Sequence, residues 1–224
     1  MTARARATKR AAILDAAVRV FLEHGYEGAS MELVATAAAT VRRTVYNQFD
    51  NKEALFRAAV AALWQQIPSI TIRDDPHAVA NPELGLRRAA EMTVQFWLPE
   101  RPVAFLRMVI SESGRFPELA DSYIRQGKLP ALNGLIVYLD ALRSNGHILC
   151  DDTELAARQF VGLINEPLLW YRVIDNGPAP DPAYCEAVID EAVRTFLARY
   201  ASREAPGDPL LADRAASLAV RGST

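Results

Sequence analysis

Apolar residues Ile13, Ala16, Ala17, Val20 and Phe21 recur at helical spacing, and Gly25 follows where a helix would be terminated. The pattern predicts a first helix from about Lys9 to His24. Ser30 is suited to cap a second, short helix, with Glu32 in its first turn against the positive helix end and Leu33, Val34 and Ala37 on its inner face. A third helix is expected over roughly Val41 to Phe49, because Val45 and Phe49 are four apart and face inward together. Asn51 is a good N-cap for a fourth, from Lys52 to about Ile67, which Pro68 ends.

Beyond a loop marked by Asp74, Asp75, Pro76 and Pro82, the apolar spacing predicts helices at about 83–98, 102–113, 117–127, 129–145, 152–174 and 182–202. Gly114, Gly146, Asn176, Gly177 and several prolines punctuate them. No segment alternates like a strand and no repeat is evident. The chain therefore reads as all-α, with a three-helix head containing a helix-turn-helix (residues 1–50) and a larger helical body (51–204). Pro206, Gly207 and Pro209 suggest a loosely ordered tail over 205–224, in which "LLADRAASLAV" can still form a short helix.

Composition narrows the function. The sequence has 224 residues and is 50% hydrophobic, enough to bury a core of ordinary size. Charges such as Asp15, Arg19 and Glu91 cut every apolar stretch, so neither a membrane span nor a signal peptide is expected and a cytoplasmic location follows. The net charge of -2 conceals nine basic against six acidic residues in the first 60, which suits an N-terminal end that approaches a polyanion. Cys150 and Cys185 are far apart and have no metal spacing; two partly buried thiols or a redox-sensing pair both fit. His24, His77 and His147 are scattered, no nucleophile elbow or phosphate loop occurs, and Asp151 with Asp152 reads as an acidic helix start. No catalytic site, metal or cofactor is expected.

The stretch "AAATVRRTVYNQFDNKEALF" carries the chemistry. Ala35, Ala39 and Val45 stand at the offsets of a helix-turn-helix: a small residue at the crossing, a turn residue, an inward anchor. With Val45 and Phe49 inward, Arg42, Arg43, Thr44, Tyr46, Asn47 and Gln48 face outward. Arg forks onto guanine and Asn or Gln bridges adenine, while Tyr46 and Lys52 suit phosphate oxygens. Ser30 and Thr40, at the helix starts, complete the candidate DNA-contacting set. A solvated polar face would look the same from composition alone.

The elements F-x-x-x-G-Y, S-M-x-x-V-A, T-V-Y-x-x-F and N-K-E-x-L-F occur in order between residues 21 and 56. Over about residues 10–60 the chain resembles the DNA-binding domain of TetR-family transcriptional regulators. More weakly, "FLRMVISESGRFPELADSYIRQG" and "DDTELAARQFVGL" are similar to the AefR-like regulatory half of some members. It departs from the family pattern at Ala39, where glycine is usual, at Thr40 and at Val41. A left-handed Ala39 would cost roughly 1 kcal/mol, and Thr40 is expected to cap the third helix one residue early.

The resemblance implies a ligand-responsive regulator, most often a repressor, that binds a palindromic operator in double-stranded DNA as a homodimer. It implies a four-helix bundle at the dimer interface, for which Ile189, Ala192, Val193, Phe196 and Tyr200 form one stripe and Phe160, Leu163, Pro167, Trp170 and Tyr171 another. An internal core face would give the same pattern. It also implies a pocket for a small, largely apolar effector, with Phe96, Trp97, Phe105, Met108, Tyr123, Asn165, Trp170 and Tyr171 as candidate lining; each fits plain core as well. Asn165 interrupts an apolar run and needs a partner if buried. The alternative reading is a helical small-molecule or lipid-binding protein whose head does not bind DNA.

Overall fold

The computed structural model describes residues 3–64 and 72–202, and among them every regular element is helical. The head comprises α1 (Ala3–Gly28), α2 (Met31–Ala37) and α3 (Arg42–Tyr46), and α4 (Lys52–Trp64) leads into the body. The body contains α5 (Pro76–Ala80), α6 (Pro82–Trp97), α7 (Glu100–Glu112), α8 (Pro117–Tyr123), α9 (Leu129–Ser144), α10 (Thr153–Leu168), α11 (Trp170–Asp175) and α12 (Pro182–Tyr200). The expected end of the fourth helix and the tail lie outside the described residues.

Local chemistry explains most boundaries. The Leu33 and Ala54 N–H groups donate to the Ser30 and Asn51 side chains at 3.1 and 2.8 Å, so both expected caps are in place. α1 begins six residues earlier than expected because Ala3, Ala5 and Ala7 alternate with arginines, all good helix formers. Gly25, at φ 68°, breaks it, and a further turn runs to Gly28. α5 occupies part of the expected loop: Asp75 caps it through the His77 N–H at 2.9 Å and Pro76 opens it. The expected single helix over 152–174 is two, since Pro167 has no N–H and its ring crowds the Leu163 carbonyl; the chain turns at Leu169. Pro130 acts similarly, and the residues before it, Ile124–Lys128, widen into a π-helical turn joining α8 to α9.

The turn between α2 and α3 settles the question raised by Ala39. Its φ is 48°, the Thr40 N–H donates to the Ala35 carbonyl at 2.9 Å and the Ala39 N–H to that of Thr36 at 3.0 Å. These are the two bonds of a Schellman cap, with alanine at the left-handed position that glycine prefers. Val41, without a side-chain bond, is the residue before α3, so Thr40 does not cap it: Thr40 is spent on closing α2. Ala39→Gly is expected to raise the unfolding free energy by about 1 kcal/mol, read as a higher urea midpoint at constant slope. An unchanged midpoint would mean the turn is not strained.

Two hydrophobic clusters organise the packing. The first joins the head, α4, α7 and α8, and includes Phe21, Tyr26, Val45, Phe49, Phe56 and Phe105. The second fills the bundle of α6, α9, α10 and α12 around Tyr138, Phe160 and Phe196. Within α2 the buried residues are Met31, Val34 and Ala35, while Leu33 and Ala37 are exposed. The inner face is thus rotated one position from the expected one, toward the i, i+3, i+4 set that meets α1. Ile189, Ala192, Val193, Phe196, Tyr200 and Phe160 are all buried within one chain. That stripe is an internal core face, as its periodicity allowed.

Candidate nucleic-acid interface and ligand cavity

Buried Val45 and Phe49 pin α3 against the head, and the remaining side chains of the helix point away from it. Arg42, Arg43, Tyr46 and Asn47 are exposed; Ser30, Thr40, Thr44 and Gln48 are half-buried at the margin. Arg42 is held sideways: its Nε pairs with Glu32 Oε1 at 2.6 Å, and its guanidinium lies 5.0 Å from the Tyr46 ring centre. Arg43 has no ion pair among the described residues. It shares a face with Asn47, one turn on, so a flexible guanidinium and an amide project together from a fixed rod. Arg10, over the Phe49 ring at 4.4 Å, adds a cation at the edge.

Lys52 does not belong with them. Its ammonium donates to the carbonyls of Tyr26 at 2.8 Å, Glu27 at 3.1 Å and Ala29 at 3.1 Å, and sits 4.6 Å above the Tyr26 ring. All three N–H groups are thereby used to close the end of α1, which leaves none for a phosphate. The expected phosphate anchor is a clamp between α4 and α1. Lys52→Ala is expected to lower stability by about 2 kcal/mol, the scale of hydrogen bonds to a charged group, while the salt dependence of DNA binding by the folded fraction stays unchanged. A shallower salt slope at full stability would restore the phosphate role. Burial beside Glu118 and Glu53 pushes the Tyr26 hydroxyl up to about 12, so this ring stays neutral under the lysine.

In the body, Phe96, Trp97, Phe105, Met108 and Tyr123 are all buried in the first cluster, and of these Trp97 borders the cavity described below. Trp170 and Tyr171, 44% and 69% exposed, face outward and not into a pocket. They lie on the outer face of α11, whose inner side is formed by Leu169, Arg172 and Val173. A small cavity of about 10 Å³ does lie between α6, α10 and α11, walled by Val94, Trp97, Ile164 and Leu168. That is room for about one water molecule. Asn165 and Arg172 contribute its polar groups, and the buried Asn165 Oδ1 and Arg172 Nε have no hydrogen-bond partner among the described residues. Arg172 was not among the candidates, although one arginine inside a largely apolar run is a signal of the same kind as Asn165.

Comparison with known proteins decides the family. Residues 84–202 match the model of the AefR-like transcriptional repressor C-terminal domain, and residues 13–59 that of bacterial regulatory proteins of the tetR family. The chain belongs to the TetR family. This is a family of transcriptional regulators and not of enzymes. A TetR-family structure from Mesorhizobium loti superposes with a TM-score of 0.77 at 27% identity, covering 90% of this chain and 100% of that one. The flavonoid-responsive regulator FrrA does so with a TM-score of 0.71 at 29% identity, over 88% of this chain and 99% of its own. The nicotine-responsive repressor HdnoR of Paenarthrobacter nicotinovorans is 34% identical over 89 residues, 40% of this chain and 44% of HdnoR. The match spans less than half the length of each curated relative.

In this TetR-family member the head is fastened to α7 and to the turn that follows it. Arg101 pairs with Asp15 Oδ1 at 2.7 Å and donates to the Asp15 carbonyl at 3.1 Å. The Tyr26 N–H donates to Glu112 Oε1 at 2.8 Å, and Arg115 pairs with Glu27. A Cβ at Gly25 would lie 2.4 Å from Glu112 Oε1, so glycine is needed there for both conformation and space. No group of His, Cys, Asp or Glu among the described residues is placed to hold a metal, and no described helix is long and apolar enough to cross a membrane. Burial raises the Cys185 thiol, the opposite direction from a reactive cysteine.

Proposed function

We propose that the chain is a ligand-responsive repressor acting in the cytoplasm, which binds a palindromic operator as a dimer and leaves it when a small, largely apolar effector occupies the body. The observation that carries the DNA-binding half is the Arg43–Asn47 face, unpaired and projecting from a helix fixed by Val45 and Phe49. Two such helices, related by a two-fold axis, suit major grooves roughly 34 Å apart. The dimer is supported by the exposed apolar residues Leu155, Leu163, Trp170, Tyr171, Ile174 and Tyr184, all within or beside α10–α12. Relatives named as responding to nicotine and to flavonoids support a small organic effector.

Selection from pooled random DNA tests this reading. Enrichment of a palindrome is expected; no enrichment would favour a helical small-molecule or lipid-binding protein without DNA binding. On the selected site Arg43→Ala is expected to cost about 1–3 kcal/mol and to relax the preference at one base pair in each half-site, with little effect on random DNA. Equal losses on both DNAs would make Arg43 a backbone contact.

A further inference from the structure

We propose that the effector is an apolar monocarboxylate whose carboxylate is taken by Arg172. The inference rests on reading the α6–α10–α11 cavity as the effector site, and it names the chemistry of what that site accepts.

Arg172 is 4% exposed, a deep position for a group that stays charged. Its Nη1 donates to the Trp97 carbonyl and its Nη2 to Glu100 Oε2 at 3.2 Å, while its buried Nε has no partner among the described residues; Arg172 itself lines the cavity. Glu100 does not neutralise it fully, because the same carboxylate also pairs with Arg107, whose other nitrogen Nη1 donates to the Arg172 carbonyl at 2.8 Å. Two guanidinium groups thus share one half-exposed carboxylate. The cluster carries one positive charge in excess, and its more buried member is the less satisfied.

A second, independent group points the same way. Asn165 Oδ1 is buried without a partner in the same cavity, and an amide can present either its oxygen or its NH₂ to a ligand. The Nε edge of a guanidinium offers two parallel N–H bonds that match a carboxylate, and a turned Asn165 amide supplies a third donor. Val94, Trp97, Ile164 and Leu168 leave only apolar surface for the rest of the molecule. A cation would meet the excess positive charge, a neutral molecule would leave it uncompensated, and a phosphate dianion would bring more charge than one guanidinium edge balances. Leu98 and Pro180, at the outer side of the cavity, mark where the ligand enters.

The test uses the full chain and two pairs of probes, 4-phenylbutyrate with 4-phenylbutan-1-ol and decanoate with 1-decanol. Each is titrated calorimetrically and then against operator binding. At least one acid is expected to bind about tenfold or more tightly than its alcohol. Arg172→Met is expected to bring the ratio to about one. Should that variant fold poorly, Asn165→Asp serves, since it places a carboxylate beside Arg172 from within and is expected to remove the preference for the acid. Equal binding of acid and alcohol, a preference that survives in a folded variant, or no binding of either acid overturns the proposal. Alcohols that release DNA without any preference for the acid overturn it and leave the ligand-responsive reading standing. Tight, Arg172-dependent acid binding that leaves operator affinity unchanged supports the site and counts against the effector reading.

Discussion

Leu163→Glu is expected to make the protein monomeric and to lower its affinity for the full palindrome by about a hundredfold to ten-thousandfold. Leu163 lies on α10 at the margin of the buried face formed by Ala156, Ala157, Phe160 and Ile164, where its side chain reaches the surface, two turns after the exposed Leu155. Beside it a Cβ on Gly162 would touch nothing within one chain, so the surface is both apolar and close to the backbone. A two-fold interface brings each residue near its own copy, and two glutamates there would meet each other while removing apolar contact. Linking two half-site binders gives an avidity of about 10²–10⁴ without new contacts, and that factor goes when the link goes. Sedimentation at micromolar concentration and anisotropy on full and half operators measure both parts. A variant that stays dimeric and binds normally would move the interface elsewhere on the body.

The second large effect is in the joint between head and body. Phe56 is fully buried, edge-on to Phe21 at 5.3 Å and to Tyr26 at 5.4 Å, and stacked on Phe105 at 5.4 Å. Three of these rings belong to α1 and α4 and the fourth to α7. Phe56→Ala is expected to cost about 3–5 kcal/mol, the range for removing a buried phenylalanine and leaving a hole. Because the hole opens where the head meets α7, proteolysis near residue 25 or 50 should speed up more than cleavage in α9 or α12. A loss below about 1 kcal/mol would mean that neighbouring rings close the gap.

Much of this could be read from the amino-acid order, for identifiable reasons. Ser30, Asn51 and Gly25 act through bonds to residues three or four away or through their own backbone angles, so their roles were visible locally. Ala39 could be placed by its offset within the helix-turn-helix, and its strain followed from having a Cβ. The bonds of Lys52 could not be foreseen, because the carbonyls that hold it come from residues 26, 27 and 29. The stripe on α12 showed that an apolar face exists but not what covers it: one chain or two would select the same residues. Trp170 and Tyr171 lie on the outer face of α11, which the apolar run alone does not distinguish from the inner one. Arg172 was overlooked because a charge in an apolar run says nothing by itself about which side of the helix it takes.

The small size of the cavity between α6, α10 and α11 bears on timing. With about 10 Å³ of space, the cavity would hold the proposed effector only in conformers in which its walls have parted. The observed rate of association then levels off at the rate of parting instead of climbing in proportion to concentration, and the apparent dissociation constant rises by the inverse of the open fraction. A regulator that took its effector at this cavity would answer to sustained exposure and ignore pulses shorter than the opening time.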